Sequence, residues 1–417
     1  DSNVLIYERI REEFNGGRSL IQSIDLGFEK ALATIVDANF TTLIAAGVLF
    51  FLGSGPVRGF SVTLAIGIIT TVFTAYALTR WLFVIWVNRR RPKHMPKGVR
   101  TGIFDGTNIP FMGIRRYTFG ISVALSLAAL GGFGTVGMKL GIDFTGGSII
   151  ELKARTGDAD VAAIRNELST MNVGDVQVQG FGDKSSVLVR LQAQGEGESG
   201  EQSAVAKLRI GLEDRYEFRR TEVVGPSVSG ELTKSATIGV VISLLAILVY
   251  IWIRFEWQFA AGAIIATLHD VILTLGLYVI SGVEFDLSSI AAILTIVGYS
   301  LNDTVVVYDR MRENLRRYKK MPLDVLIDTS INQTLSRTIL TSVTTLLALL
   351  ALFLFGGEVI RSFTFAMLFG VLVGTFSSIY IAAPVLIAFR LRPDSPNRAD
   401  EDKNGKAKTK AVSGAGA

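Results

Sequence analysis

The sequence has no cysteine among its 417 residues. That excludes disulfide cross-links, zinc–cysteine sites and a thiol nucleophile. Histidine is nearly as scarce, with only His94 and His269, so a histidine-rich metal centre is not expected. Charged residues make up 19% of the chain, against about a quarter of an ordinary globular domain. A soluble protein of this length would carry more charge on its surface. No glycine-rich phosphate loop leads into a helix with a lysine, and no nucleophile–base pair is apparent, so the sequence reads as a non-enzyme without a cofactor. What abounds is apolar: 49% of residues are hydrophobic and the mean hydropathy is +0.42. Disorder is excluded by the same figures. A polytopic α-helical membrane protein with one polar insert remains.

A bilayer span takes about 20 mostly apolar residues. Such runs lie at 37–53, 60–87, 117–138, 235–254, 259–280, 287–308, 338–355 and 363–389. Residues 1–6, running into charged residues from Glu8, look like the last turns of a further helix. With no initiator methionine, the chain is read as the C-terminal part of something longer. Lys and Arg concentrate in 88–116, 309–320 and the tail from Arg390, whereas loops 281–286 and 356–362 hold at most one. Threading the spans alternately places every basic segment on one side, which the positive-inside rule makes the cytoplasm. The expected organisation is a partial helix and two spans in 1–87, a basic cytoplasmic linker 88–116 and a span 117–138. A periplasmic domain 139–231, a five-span bundle 232–390 and a disordered cytoplasmic tail 391–417 follow. Asp37, Asp286 and Glu358 sit at span ends and are expected to be ordinary flank charges.

Residues 139–231 are net acidic, opposite in sign to the rest. Their pattern predicts strands at 148–153, 175–180, 186–191 and 218–224, helices at 159–171 and 202–216, and a polar loop at 195–200. The order βαββαβ is ferredoxin-like. Gly146 and Gly147 are expected to form a tight turn where the span meets this domain. The chain also repeats itself. VLIYERIRE at 4–12 matches VVVYDRMRE at 305–313, and 41–67 matches 344–370, pairing Arg58 with Arg361 and Phe60 with Phe363. Both halves then run the same way through the membrane, as parallel repeats, a plan common in transporters. The alignment pairs Asp1 with Asn302, Ser2 with Asp303 and Thr34 with Arg337.

Ionisable groups at membrane depth cost roughly 2.5–3.5 kcal/mol each and are functional candidates by default. Asp303 lies inside its span, and Thr295 and Tyr299 share its face at helical spacing. Asp270 lies mid-span beside His269, with Thr267 and Thr274 on its face. It reads either as a proton-path group or as a structural carboxylate satisfied by His269 or a threonine. Arg337 begins a span, with Thr341, Thr344 and Thr345 continuing its face; it reads as a functional cation or as an interfacial anchor. Burial disfavours a lone charge and a nearby opposite charge favours it, so moving Arg337 relative to Asp303 would change proton affinity.

These residues resemble a known family. GIDFTGGSIIEL (141–152), VVGPSVSGELT (223–233), LHD (268–270), VGYSLNDTVVVYDRMRE (297–313) and SRTILTSVTTL (336–346) are similar to SecF of the bacterial protein-export machinery. DSNVLIYERIREE (1–13) and the two spans after it resemble the C-terminal end of SecD, so the chain resembles a SecD–SecF fusion within the RND superfamily. The resemblance implies use of the proton motive force to promote late stages of preprotein export across the inner membrane. The implied partners are the SecYEG translocon, a YajC-like subunit, SecA indirectly, and unfolded preproteins at the periplasmic face. It also implies that the family's proton-pathway residues fall on Asp1, Asp303 and Arg337, with Asn302 beside them; Asp270 matches a motif of less definite role. The coupling ion is expected to be the proton, with sodium as the alternative. An RND-type exporter of small molecules or lipids is the competing reading.

Overall fold

A computed structural model describes residues 2–52, 55–92, 107–171, 173, 176–181, 183–193, 198–356, 360–389 and 391. Asp1, Glu358, the middle of the expected linker and almost all of the expected tail lie outside the described residues.

The described residues form eight helices long and apolar enough to cross a membrane. In hydrocarbon every backbone N–H and C=O must pair within the segment, and a continuous helix does this. In chain order, α1 is Ser2–Asn15, α2 Leu20–Leu52, α3 Gly55–Phe73, α4 Thr79–Arg90 and α5 Arg115–Thr135. The α/β domain follows: β1 Gly147–Ala154, α6 Val161–Thr170, β2 Val176–Phe181, β3 Asp183–Gln192, α7 Glu198–Leu212 and β4 Tyr216–Val224. The remaining bundle is α8 Pro226–Arg254, α9 Trp257–Ser281, α10 Leu287–Arg317, α11 Leu323–Phe355, α12 Arg361–Ser377 and α13 Ala383–Ala388.

Four helices outrun their apolar segments, α8 among them, which begins at Pro226 rather than at 235. α2 begins at Leu20 rather than at 37, α11 at Leu323 rather than at 338, and α10 continues past 308 to Arg317. The cause is a one-sided pattern. Leu20, Ile24, Phe28, Ala31 and Ile35 recur at helical spacing and are buried, and α2 packs there against α1. A hydropathy window registers helices apolar all round and misses such stripes.

The repeat extends into the backbone. α2 and α11 have 33 residues each. α3 reaches α4 through a five-residue π segment, Thr74–Leu78, and α12 reaches α13 through another, Ser378–Ala382. A π turn inserts one residue into the helical ladder. The same insertion at matching places shows that the halves share one plan. α10 is the central helix, with 83% of its span buried, and it packs on α2, α9, α11 and α12. The Phe111–Thr135 span is only 6% buried and presents apolar side chains such as Ile121, Leu127 and Phe133 outward.

The small domain is a four-stranded antiparallel sheet in the order β2-β3-β1-β4, as the ferredoxin-like reading expects. Ile150, Leu152, Val187 and Val189 of the sheet pack on Ile164, Leu168 and Leu208 of α6 and α7. One helix is displaced from its predicted place. α7 ends at Leu212, and Tyr216 opens β4 opposite Ala154 instead of closing the helix. Its buried residues Ala204, Leu208 and Leu212 keep helical spacing only that far. The helix also begins at Glu198, inside the expected polar loop. Gly146 and Gly147 make the expected turn, with φ of +74° and +119°. A Cβ on Gly147 would lie 2.4 Å from the Leu191 carbonyl oxygen.

The domain is bolted to the loop before α10. Gly141 N–H donates to the Phe285 carbonyl (2.8 Å) and Phe285 N–H to that of Lys139 (2.8 Å). Leu287 N–H donates to Asp143 Oδ2 (3.0 Å), and Arg190 of β3 ion-pairs with Glu284. Burial, helped by Asp286 and Glu222 close by, pushes the Asp143 carboxyl above its ordinary value, and the Leu287 amide opposes that shift. Two expected flank charges have specific structural roles. Asp286 caps α10, accepting from Ser289 N–H (2.8 Å) while Ser289 Oγ accepts from Asp286 N–H (3.1 Å). This reciprocal capping box satisfies two orphan donors. Asp37 ties α2 to α8, pairing with Arg254 (2.6 Å) and accepting from Tyr250 (3.0 Å).

Candidate functional site

A polar cavity of about 350 Å³ lies where the two repeats face each other. α1 contributes Ser2 and Leu5, and α2 contributes Thr34, Asn39 and Thr42. From the other half, α10 contributes Thr295, Gly298, Tyr299 and Asn302, and α11 contributes Arg337 and Thr345. The repeat explains this set. Thr34 aligns with Arg337, and Ser2 with Asp303, next to Asn302. Gly298 permits the close approach of α10 to α2: a Cβ there would lie 2.5 Å from Thr42 Oγ1.

Asp303 and Arg337 are both deeply buried, 5% and 6% exposed. Asp303 Oδ2, Arg337 Nε and Asn302 Oδ1 are buried with no hydrogen-bond partner. Buried polar groups are almost always paired, so orphans this close together demand a reason. A polar cavity lined by Asn302 and Arg337 adjoins them, and a shift of the packed helices would bring its water to these groups. The charged groups acting on the Arg337 guanidinium are Glu8, Asp303, Arg9 and Asp309. Carboxylates of both halves therefore act on it, Asp303 and Asp309 from its own and Glu8 from the other. Its burial sets aside the interfacial-anchor reading. Tyr299 Oη donates to Ser342 Oγ (3.5 Å), which pairs with Thr375 Oγ1 (2.6 Å), extending the polar face toward α12.

Asp270 lies apart from this site. It is fully buried and every carboxylate oxygen is engaged. His269 Nδ1 lies 2.9 Å from Oδ1, and Ser300 and Ser377 hydroxyls donate to Oδ2 at 2.5 and 2.7 Å. The partners come from α9, α10 and α12, so the carboxylate pins three helices. Thr267 does not reach it, donating to Ala263 O, and Thr274 donates to the Asp270 backbone carbonyl. The sequence pointed to His269 but missed Ser300 and Ser377. Serines in membrane helices are common packing residues, and only the meeting of three helices singles these out. Asp1 lies outside the described residues, next to Ser2. Among the described residues, no group of three or more His, Asp and Glu side chains is placed to hold a metal ion.

Comparison with known proteins places this geometry. The family described as "Protein export membrane protein SecD/SecF, C-terminal" matches residues 1–88 and 204–392, and "SecD/SecF GG Motif" matches 131–158. The "Protein translocase subunit SecDF" of Brucella abortus biovar 1 (strain 9-941) is 49% identical over 96% of this chain and 53% of its own length. The "Protein translocase subunit SecF" of Cereibacter sphaeroides is 44% identical over 70% of this chain and 93% of its own. The crystal structure of SecDF, a translocon-associated membrane protein from Thermus thermophilus, superposes with a TM-score of 0.81 at 37% identity, over 94% of this chain and 53% of that one. The chain thus spans about half the length of the SecDF relatives it matches. The matches cover the repeat, the glycine turn and the helices that carry Asp270, Asp303 and Arg337. The chain belongs to the SecD/SecF family of protein export membrane proteins.

Proposed function

We propose that this chain works as part of an accessory subunit of the Sec protein translocase, driven by the proton motive force. It would promote the late stages of preprotein export across the bacterial inner membrane. The end of the bundle that bears the α/β domain is then periplasmic, and the basic end of α1 and α10 is cytoplasmic. The observation that carries the reading is the unpartnered Asp303 Oδ2 and Arg337 Nε, with Arg337 and Asn302 lining a polar cavity between the two halves. In this reading Asp303 takes up and releases the proton, Arg337 modulates it, Asn302 lines the approach, and Asp1 is a further proton-pathway residue. Asp270 holds the helices in register. One charge crossing 100 mV releases about 2.3 kcal/mol, enough to bias two arrangements of packed helices. The energy source is then an ion gradient rather than a bound cofactor, with the proton as the coupling ion. SecYEG is the partner on which it acts, with a YajC-like subunit alongside. SecA acts before it, and the unfolded preprotein is the cargo.

Preprotein export measured in cells carrying Asp303→Asn tests this. The expected result is loss of the part of export that a protonophore abolishes, at normal membrane levels of the protein. Normal, protonophore-sensitive export by that variant would overturn the reading.

A further inference from the structure

Beyond the cavity, where α1 and α10 carry their charged residues, lies a ring of ion pairs that crosses between the halves. Glu8, Arg9 and Glu12 of α1 match Asp309, Arg310 and Glu313 of α10 in the repeat. In the structure Arg9 reaches Asp309 (3.5 Å) and Glu313 (3.8 Å) of the other half. Arg310 in turn ion-pairs with Glu12. Each arginine also holds the glutamate of its own helix, Arg9 to Glu12 at 2.9 Å and Arg310 to Glu313 at 3.0 Å. Arg9, Glu12, Arg310 and Glu313 thus close a four-membered ring, and the repeat's pseudo-twofold exchanges its two cross-half pairs.

The ring is placed to control access. At about 1.5 Å per residue its four members lie roughly 10–17 Å beyond Ser2 and Asn302 along the two helices. Between ring and cavity the two helices carry the buried apolar residues Ile6, Val305 and Val306, and Leu5 lines the cavity itself. The arginine side chains are 17% and 15% exposed, while the glutamates are 36% and 52% exposed. Ion pairs this wet are individually weak, so the ring can open without a large barrier. It also communicates with the site, because Arg9 and Asp309 act on the Arg337 guanidinium.

We propose that the crossed ring of Arg9, Glu12, Arg310 and Glu313 is a gate that shuts the basic-end mouth of the cavity and opens when α1 and α10 part. What passes through it rests on the proton-coupled reading above; that it gates access does not.

The test is thiol accessibility. The chain has no native cysteine, so Thr345→Cys places a reporter in the cavity. A small, charged, membrane-impermeant methanethiosulfonate is added to inverted membrane vesicles, which expose the basic end. With the ring intact, labelling is slow relative to a control cysteine at the exposed Lys319. In Arg9→Gln/Arg310→Gln it accelerates at least tenfold. Exchanging all four charges (Arg9→Glu, Glu12→Arg, Arg310→Glu, Glu313→Arg) re-forms the ring with inverted signs and restores slow labelling. Labelling of the glutamine variant at the intact rate would overturn the gate. A second measurement needs no change to the ring. Salt screens exposed ion pairs, so raising KCl should speed Thr345→Cys labelling several-fold against the Lys319→Cys control, and an unchanged ratio would also overturn it. Labelling requires no proton gradient, so failure here removes the gate and leaves the Asp303 reading intact. Failure of the Asp303→Asn export test does the reverse.

Discussion

Asp270 and Asp303 are two buried carboxylates of the same bundle, linked through Ser300, which sits one turn before Asp303 and donates to Asp270. Their surroundings are opposite. Asp270 has both oxygens engaged by His269, Ser300 and Ser377 and touches no cavity wall. Asp303 keeps an unpartnered Oδ2, its chain neighbour Asn302 lines the polar cavity, and its cation does not saturate it. A satisfied buried polar network rigidifies; an unsatisfied one stores free energy that a proton or a moving partner can release. In the proposed reading the first carboxylate serves the fold and the second serves the cycle.

The largest expected effect sharpens this contrast at the cavity. Asp303→Asn and Arg337→Gln should each lose nearly all proton-driven export, roughly 100-fold or more. The double variant should lose no more than either single, as groups that act as a unit do. Additive losses in an export-rate cycle would break the pairing. Next comes Asp270→Ala, which strands His269 and two serines and should destabilise the protein by about 3–5 kcal/mol. Ser300→Ala and Ser377→Ala should each cost about 1 kcal/mol. Thermal unfolding in detergent measures all three, and whatever folded protein remains should keep its proton-driven export. Loss of coupling in Ser377→Ala at unchanged stability would move Asp270 into the proton path.

The smallest effect concerns a third carboxylate, Asp143, outside the membrane. It has one amide donor, from Leu287, and the help of Arg220, against burial and the acids Asp286 and Glu222. Its folded value is raised, so its contribution to stability is complete below the ordinary value of 3.8 and is lost as pH rises through the raised one. Asp143→Asn should therefore unfold at a slightly higher temperature than the parent near neutral pH, and the difference should vanish toward pH 4. A difference that grows on acidification would show that the Leu287 hydrogen bond outweighs burial.

Much of this was legible in the sequence. Long apolar runs gave the spans, alternation gave the βαββαβ domain, and the paired motifs gave the repeat, down to Thr34 opposite Arg337. Asp303 and Arg337 stood out because charge is costly on an apolar helix. Other features depend on three-dimensional meetings. The buried stripe of α2 from Leu20 to Ile35 became visible only beside α1. Ser300 and Ser377 looked like packing residues until their helices converged on Asp270. The charges at the end of α10 read as a positive-inside signal, and no one-dimensional pattern shows that Arg9 and Arg310 pair across the halves. Asp286 likewise read as a flank charge, although Ser289 three residues on is a capping signature.

Infrared spectroscopy of the protein in its membrane, titrated across pH, tests the central contrast most directly. A protonated carboxyl absorbs at a frequency that a carboxylate does not. The account predicts a pH-dependent carboxyl band that disappears in Asp303→Asn and persists in Asp270→Asn. A band that survives in Asp303→Asn and vanishes in Asp270→Asn would contradict it.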